Sequence, residues 1–173
     1  MGELKKIIED LDKVIRRRFK EGFNKVVTNF RKIFRELFGG GDADITIDES
    51  EDILEGPMDI IAQPPGKQLK NINLLSGGEK TMTAIALMFA VLKTKPTPCC
   101  ILDEVEAALD DKNIDIFAHY LRKFKDVQFT LITHQKNTME HADALYGVTM
   151  PERGVSQIYS LKLGQEGIER FTE

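Results

Sequence analysis

The chain has 173 residues, 42% of them apolar and 30% charged, with a formal net charge of −4, which describes one soluble globular domain able to bury a substantial core. Its most apolar segment, Met82 to Leu92, is 11 residues and too short to cross a bilayer, and with no signal peptide recognised the expectation is a cytosolic protein. The only cysteines, Cys99 and Cys100, are adjacent inside an apolar run, which fits buried thiols in a reducing compartment rather than a disulfide framework and argues against a zinc site. Charge is uneven: residues 1–38 carry +5 and residues 39–173 carry −9.

From Leu4 to Phe38, apolar residues recur at spacings of three and four (Leu4, Ile7, Leu11, Ile15, Phe19, Phe23, Val26, Phe30, Ile33, Leu37), the stripe of one long amphipathic helix ended by Gly39-Gly40-Gly41. Met1-Gly2 offers no convincing cap. The helix is therefore expected to continue upstream in a longer polypeptide as part of a coiled coil, with Met1 an added start. Its basic residues Lys13, Arg16, Arg17, Arg18, Lys20, Lys25, Arg31, Lys32 and Arg35 suit either the solvated face of a coiled coil or non-specific contact with DNA phosphates.

Short strands are expected at Ala43 to Ile47 and Met58 to Ala62, and Pro64-Pro65-Gly66 then breaks the chain. Glu79 to Leu92, apolar almost all round, reads as a helix buried on most sides. Cys99 to Leu102 reads as a central strand of a parallel sheet, Asp111 to Lys125 as a helix with Ile114, Phe117, Leu121 and Phe124 on one face, and Val127 to Ile132 as the next strand. Further strands are expected at Leu145 to Thr149 and Ser156 to Leu163. Strand, helix and strand in succession imply parallel pairing, and in such sheets ligands lie beyond the carboxyl ends of the strands, where Asp103, Glu104 and His134 fall.

Two runs carry chemistry. Leu75-Ser76-Gly77-Gly78-Glu79-Lys80 contains a capping box, with Ser76 as cap and Glu79 at the third helical position, worth about 1 kcal/mol by itself. That leaves Gly77 and Gly78 unexplained, since each costs backbone entropy; without side chains they leave helix N–H groups open to a phosphate. Cys99-Cys100-Ile101-Leu102-Asp103-Glu104 ends an apolar strand in two carboxylates. Asp103 is placed to hold Mg²⁺ through its water shell and Glu104 to polarise an attacking water, the alternative being a solvated acidic turn. Leu109-Asp110-Asp111 suits a simple helix cap. His134 is placed to reach a terminal phosphate, whereas His119 and His141 read as structural.

A phosphate-cradling G-x-x-x-x-G-K-[ST] loop is missing. Gln63-Pro64-Pro65-Gly66-Lys67-Gln68 imitates it poorly: Ile61 stands where the first glycine belongs, the prolines remove N–H donors, and no Ser or Thr follows Lys67. The sequence reads as half of an ATPase.

Leu75-Ser76-Gly77-Gly78-Glu79-Lys80, Asp103-Glu104-Val105-Glu106-Ala107-Ala108-Leu109-Asp110 and Ile132-Thr133-His134 together resemble the carboxyl-terminal head lobe of the SMC proteins, chromosome-organising ATPases of the ABC class. Val105-Glu106, where transporters have Pro-Thr, favours SMC; Tyr146-Gly147-Val148-Thr149-Met150 and Gln63-Pro64-Pro65-Gly66-Lys67 look like the bacterial branch. The resemblance implies an α/β fold, the C-terminal half of an ABC-type head with a mostly parallel sheet flanked by helices, in which residues 1–38 are a coiled-coil neck helix and residues 39–173 the lobe. It implies ATP and Mg²⁺ as cofactors, Ser76, Gly77, Gly78 and Glu79 as the signature motif, Asp103 and Glu104 as the Walker B pair, Leu109 and Asp110 as the D-loop, and His134 as the switch histidine. Expected partners are the N-terminal lobe of the same head, which bears Walker A, a second head in an ATP-dependent dimer, the C-terminal winged-helix domain of a kleisin, and DNA. The fragment alone is expected to be inactive, and the protein to be cytoplasmic and nucleoid-associated. A double-strand-break repair ATPase head and a non-catalytic docking module for a winged helix are the alternatives.

Overall fold

A computed structural model describes residues 2–48, 52–163 and 169–171; Met1 lies outside them. The amphipathic stripe forms one helix, α1 (Gly2–Phe38), about 55 Å long at 1.5 Å per residue. Only its second half is packed. Phe30, Ile33, Phe34 and Leu37 are buried, whereas Leu4, Ile7, Ile8, Leu11 and Ile15 stay exposed. The glycines that follow turn the chain sharply: Gly41 has φ 78°, and a Cβ there would lie 2.2 Å from the Gln63 carbonyl oxygen, a clash only glycine avoids.

Next come β1 (Asp42–Ile47), β2 (Met58–Gln63) and β3 (Lys70–Asn71), an antiparallel sheet in the order β1-β2-β3, and a 3₁₀ turn at Ile72–Leu74. Two ion pairs fasten β1 to α1: a forked one, Arg31 Nη2 to Asp44 Oδ2 at 2.5 Å with Nε to Oδ1 at 3.2 Å, and a single contact of Arg35 Nη2 with Asp42 at 3.0 Å. Arg16 grips Asp52 in the following loop through both guanidinium Nη atoms, the Nη2 contact being 2.6 Å. With Lys13 beside Asp10 and Arg17 beside Glu21, five of the nine α1 cations noted above thus pair with acids of this same chain.

Helix α2 (Gly77–Thr94) buries Met82, Thr83, Ile85, Ala86, Phe89, Ala90 and Leu92 and leaves Lys80, Ala84 and Val91 in solvent, so the expectation of burial on most sides holds. Phe89 is fully buried, its ring 6.0, 5.0 and 5.3 Å from those of Phe117, Tyr120 and Phe124. These last belong to α3 (Asp111–Leu121) and the turn after it. The helix stops at Leu121, four residues before the expected end, because Lys123 and Phe124 make turn-type bonds to Tyr120 and Leu121, which swings Phe124 onto Phe89 and Phe129.

Strands β4 (Cys99–Asp103) and β5 (Gln128–Ile132) flank α3 in sequence and pair in parallel, Cys99 opposite Gln128 through Asp103 opposite Ile132. A five-residue helix, α4 (Lys136–Glu140), follows, and then β6 (Ala144–Glu152), β7 (Val155–Lys162) and β8 (Glu169–Phe171) form a second antiparallel sheet. The sheet is therefore not mostly parallel: among the described strands β4–β5 is the one parallel pair. Only this pair is joined by a helical crossover, while β6 and β7 are joined by the tight turn at Arg153-Gly154, which reverses direction.

The two thiols also differ from expectation. Cys99 is exposed and Cys100 half-buried, because a two-stranded layer covers one face only; Leu102 points into the core while Ile101 is 70% exposed. His119 and His141, expected to be structural, meet edge to face with their rings 4.5 Å apart.

Candidate active site

Strand β4 ends at Asp103 and the chain then takes an uncommon conformation. Glu104 has φ 46°, the left-handed region, and is the only non-glycine residue there among those described. Such a conformation costs about 1–3 kcal/mol and persists only where neighbours enforce it. Here the Glu104 N–H donates to the Ile132 carbonyl on β5 at 2.9 Å, and the Glu104 carbonyl accepts the Ala107 N–H at 3.1 Å. The kink brings the Glu104 carboxylate to the end of β5, where Oε1 lies 3.2 Å from His134 Nδ1. Both side chains are half-open to solvent, at 53% and 66%. Asp103 is exposed beside them, with no hydrogen-bond or ion-pair partner among the described residues. The adjacent Asp103 and Glu104 and the sequence-distant His134 are thus brought to one edge.

The loop after Glu104 is tied down from within. Glu106 is buried, with Oε1 accepting the Thr138 hydroxyl at 3.0 Å and Oε2 without a partner among the described residues. Leu109 is buried in the core, so any role it has toward a ligand passes through its backbone. Asp110 caps α3, its carboxylate accepting the Asn113 N–H at 2.9 Å, the simple reading of that residue.

A second cluster lies at the start of α2. Ser76 is the cap, and Glu79 Oε2 accepts both its N–H at 3.2 Å and its hydroxyl at 2.7 Å. Lys67 Nζ, delivered by the Pro64–Gly66 turn, stands 2.7 Å from Glu79 Oε1. The Lys67 ammonium first, and the Ser76 hydroxyl second, hold the Glu79 carboxyl below the usual carboxylate range against the opposing effect of its partial burial. A Cβ on Gly77 would meet nothing within 4 Å, whereas one on Gly78 would sit 3.3 Å from the Ala108 carbonyl, so the helix start abuts the loop after Glu104. Lys80 is exposed.

No hydrogen bond or ion pair joins the two clusters among the described residues. Surface clefts beside Asn29 and Thr94, and beside Tyr120 and Lys123, contain none of these side chains. Hard carboxylate oxygens at a strand end fit Mg²⁺, which takes one or two carboxylates and keeps several waters, and no group of three or more ligands forms a protein cage among the described residues. The sequence did not disclose Lys67, whose signal was the Gly66 turn (φ 75°) bending the failed P-loop toward Glu79, or Glu106, hidden within a run of small and acidic residues.

Residues 11–157 match the family model described as "RecF/RecN/SMC N terminal domain". The chain belongs to the RecF/RecN/SMC family. It is 58% identical over 162 residues to the chromosome partition protein Smc of Clostridium kluyveri, a match that covers 93% of this chain and 14% of that protein. The chain thus spans about one-seventh of the length of such curated relatives. Its fold matches the Smc head domain of Pyrococcus furiosus, with an extended coiled coil and bound to the C-terminal domain of ScpA, at TM-score 0.80 and 37% identity over 93% of this chain and 40% of that one. A solved chain from work on ATP-driven dimerization and DNA stimulated activation of SMC ATPases matches at TM-score 0.77 and 37% identity, covering 85% of this chain and 89% of that one. The mixed helix and strand architecture is that of an SMC ATPase head.

Proposed function

We propose that this chain is the C-terminal lobe of a bacterial-type SMC ATPase head, with residues 1–38 as the neck helix of its coiled coil and residues 39–173 as the lobe, and that it works by ATP-gated engagement of two heads in chromosome partition. The observation that carries the reading is the kinked Glu104, held by Ile132 at a strand end with its carboxylate against His134. Two further features support it. The absence of a P-loop within 173 residues leaves the phosphate cradle to an N-terminal lobe, and the outward Ile101 and Ile132 of the parallel pair leave an apolar face for that lobe to cover. The relatives' descriptions, ATP-driven dimerization with DNA stimulated activation and a head bound to the C-winged helix domain of ScpA, support the remaining partners that we assign: a second head, a kleisin of the ScpA kind and DNA, which we take to be bound without sequence preference in the cytoplasm.

Glu104 acts as general base, its carboxylate accepting a proton from the water that attacks the terminal phosphate of ATP. His134, hydrogen-bonded to that carboxylate, orients it and reaches the phosphate. Asp103 would hold Mg²⁺, which would supply charge neutralisation on the phosphates. Ser76 and the free N–H groups of Gly77 and Gly78 meet the nucleotide held by the opposite head, with Glu79 bracing the helix start and Leu109 and Asp110 forming the D-loop beside it.

Glu104→Gln and Ser76→Arg in the full-length protein test this. Glu104→Gln keeps ATP binding and accumulates ATP-dependent dimers while turnover falls about 10²-fold or more. Ser76→Arg leaves nucleotide on its own head but removes the dimers, because a long cation fills the place of the phosphate. Unchanged turnover in the first, or normal dimers by gel filtration in the second, refutes the reading.

A further inference from the structure

Both oxygens of the Glu79 carboxylate are engaged: one by the Ser76 N–H and hydroxyl at 3.2 and 2.7 Å, the other by Lys67 Nζ at 2.7 Å. The Glu79 side chain is 18% exposed and that of Lys67 57%, so the cation reaches in from the solvent side. Lys67 is pinned by its own backbone, its N–H donating to the Pro64 carbonyl and its carbonyl accepting Gln63 Nε2, each at 3.0 Å. The turn thus spends its fixed geometry on delivering one ammonium to one carboxylate.

An anion suits a helix N-terminus in isolation. A helix start that must also receive a phosphate faces a conflict, because a bare carboxylate one residue beyond Gly78 repels the incoming anion. At such separations, one uncompensated charge weakens binding by about tenfold or more. We propose that Lys67 is a positioning residue that resolves this conflict: it cancels the Glu79 charge and holds that carboxylate across Ser76, so that the Gly77 and Gly78 N–H groups face the other head's nucleotide with no net negative charge behind them. This rests on the assignment of Ser76–Glu79 to nucleotide held in trans.

The test measures, in the full-length protein carrying Glu104→Gln, the ATP concentration giving half-maximal dimer by sedimentation, at low and high salt. Lys67→Met raises it about tenfold at low salt and less at high salt, where the repulsion is screened; Lys67→Arg stays within about threefold of the parent. Adding Glu79→Gln to Lys67→Met recovers most of the loss, since a neutral glutamine still caps the helix and needs no counter-ion. A structural role would not be rescued in this way. The proposal is overturned if Lys67→Met has no effect on dimerisation, or if its effect is undiminished in the Glu79→Gln background, which would mean that the ammonium touches the ligand itself or merely supports the fold. Ser76→Arg, run in parallel, separates the two failures: if it leaves dimers intact the signature assignment falls, and if it abolishes them while Lys67→Met is silent only the role of Lys67 falls.

Discussion

Glu104 and Gly78 show how single positions answer to more than one demand. A left-handed glutamate is costly, yet the Ile132 carbonyl fixes its N–H and His134 receives its carboxylate, so the surrounding β-pair enforces a geometry the residue would not choose. Gly78 faces a different balance. Alanine there would favour the helix by roughly 1 kcal/mol, but its Cβ would press on the Ala108 carbonyl at 3.3 Å. Gly78→Ala is therefore expected to leave the melting temperature within about 2–4 °C of the parent, while displacing the loop after Glu104 and weakening ATP-dependent dimers. Calorimetry beside sedimentation checks it; dimers as tight as the parent's would show that the loop yields at no functional cost.

Elements are joined here more by charge than their exposure suggests. The bond of Arg16 with Asp52 ties α1 to the loop before β2, and it pulls the Asp52 carboxyl from 3.8 down to about 2, with a smaller contribution from the Leu54 N–H. A depressed folded-state pKa stabilises the attachment above the ordinary value and loses it as pH falls through the lowered one. The loop should accordingly stay docked down to about pH 3.8 and release as pH falls toward about 2. Carboxyl titration by NMR reads this directly, and Arg16→Met should return Asp52 to near its ordinary value; an unchanged titration would mean that the pair is not formed in solution. At the other end of α1, Lys123 bonds Glu36 at 2.9 Å, and burial followed by Glu36 pushes the Tyr120 hydroxyl well above its usual pKa, so α3 is tied to α1 as well as stacked on α2.

For the molecule as a whole, one apolar core does the work. It runs from Phe30, Ile33, Phe34 and Leu37 of α1 through Phe89 of α2 to Leu102 of β4 and to Ile114 and Phe117 of α3. Phe89 touches three rings at its centre, so Phe89→Ala should cost about 3–5 kcal/mol, a large part of the roughly 5–15 kcal/mol of a typical domain. Urea denaturation measures it, and a loss below about 1 kcal/mol would mean that the neighbouring rings close the hole. The molecule is also conspicuously open: Ile101 and Ile132 on the parallel pair, Tyr146, Val148, Met150 and Ile158 on β6 and β7, and the first half of the α1 stripe all face solvent. Such surfaces mark interfaces, in accord with a lobe that shares its head with another.

The long α1, the buried α2, the strand–helix–strand unit ending in Asp103 and Glu104, and the Ser76 cap were legible in the sequence because each depends on local spacing: 3.6-residue periodicity, glycine punctuation, a continuous apolar run. Helix α4 is five residues long and β3 two, too short to carry a period, and the end of α3 was set by Phe124 reaching Phe89. The antiparallel pairing of the other strands, the exposure of Cys99, the meeting of Glu104 with His134 across 30 residues and of Lys67 with Glu79 across 12 were decided only by tertiary structure. The physical reason is that local patterns state which face of an element is apolar, whereas which elements lie side by side depends on how those faces are buried together.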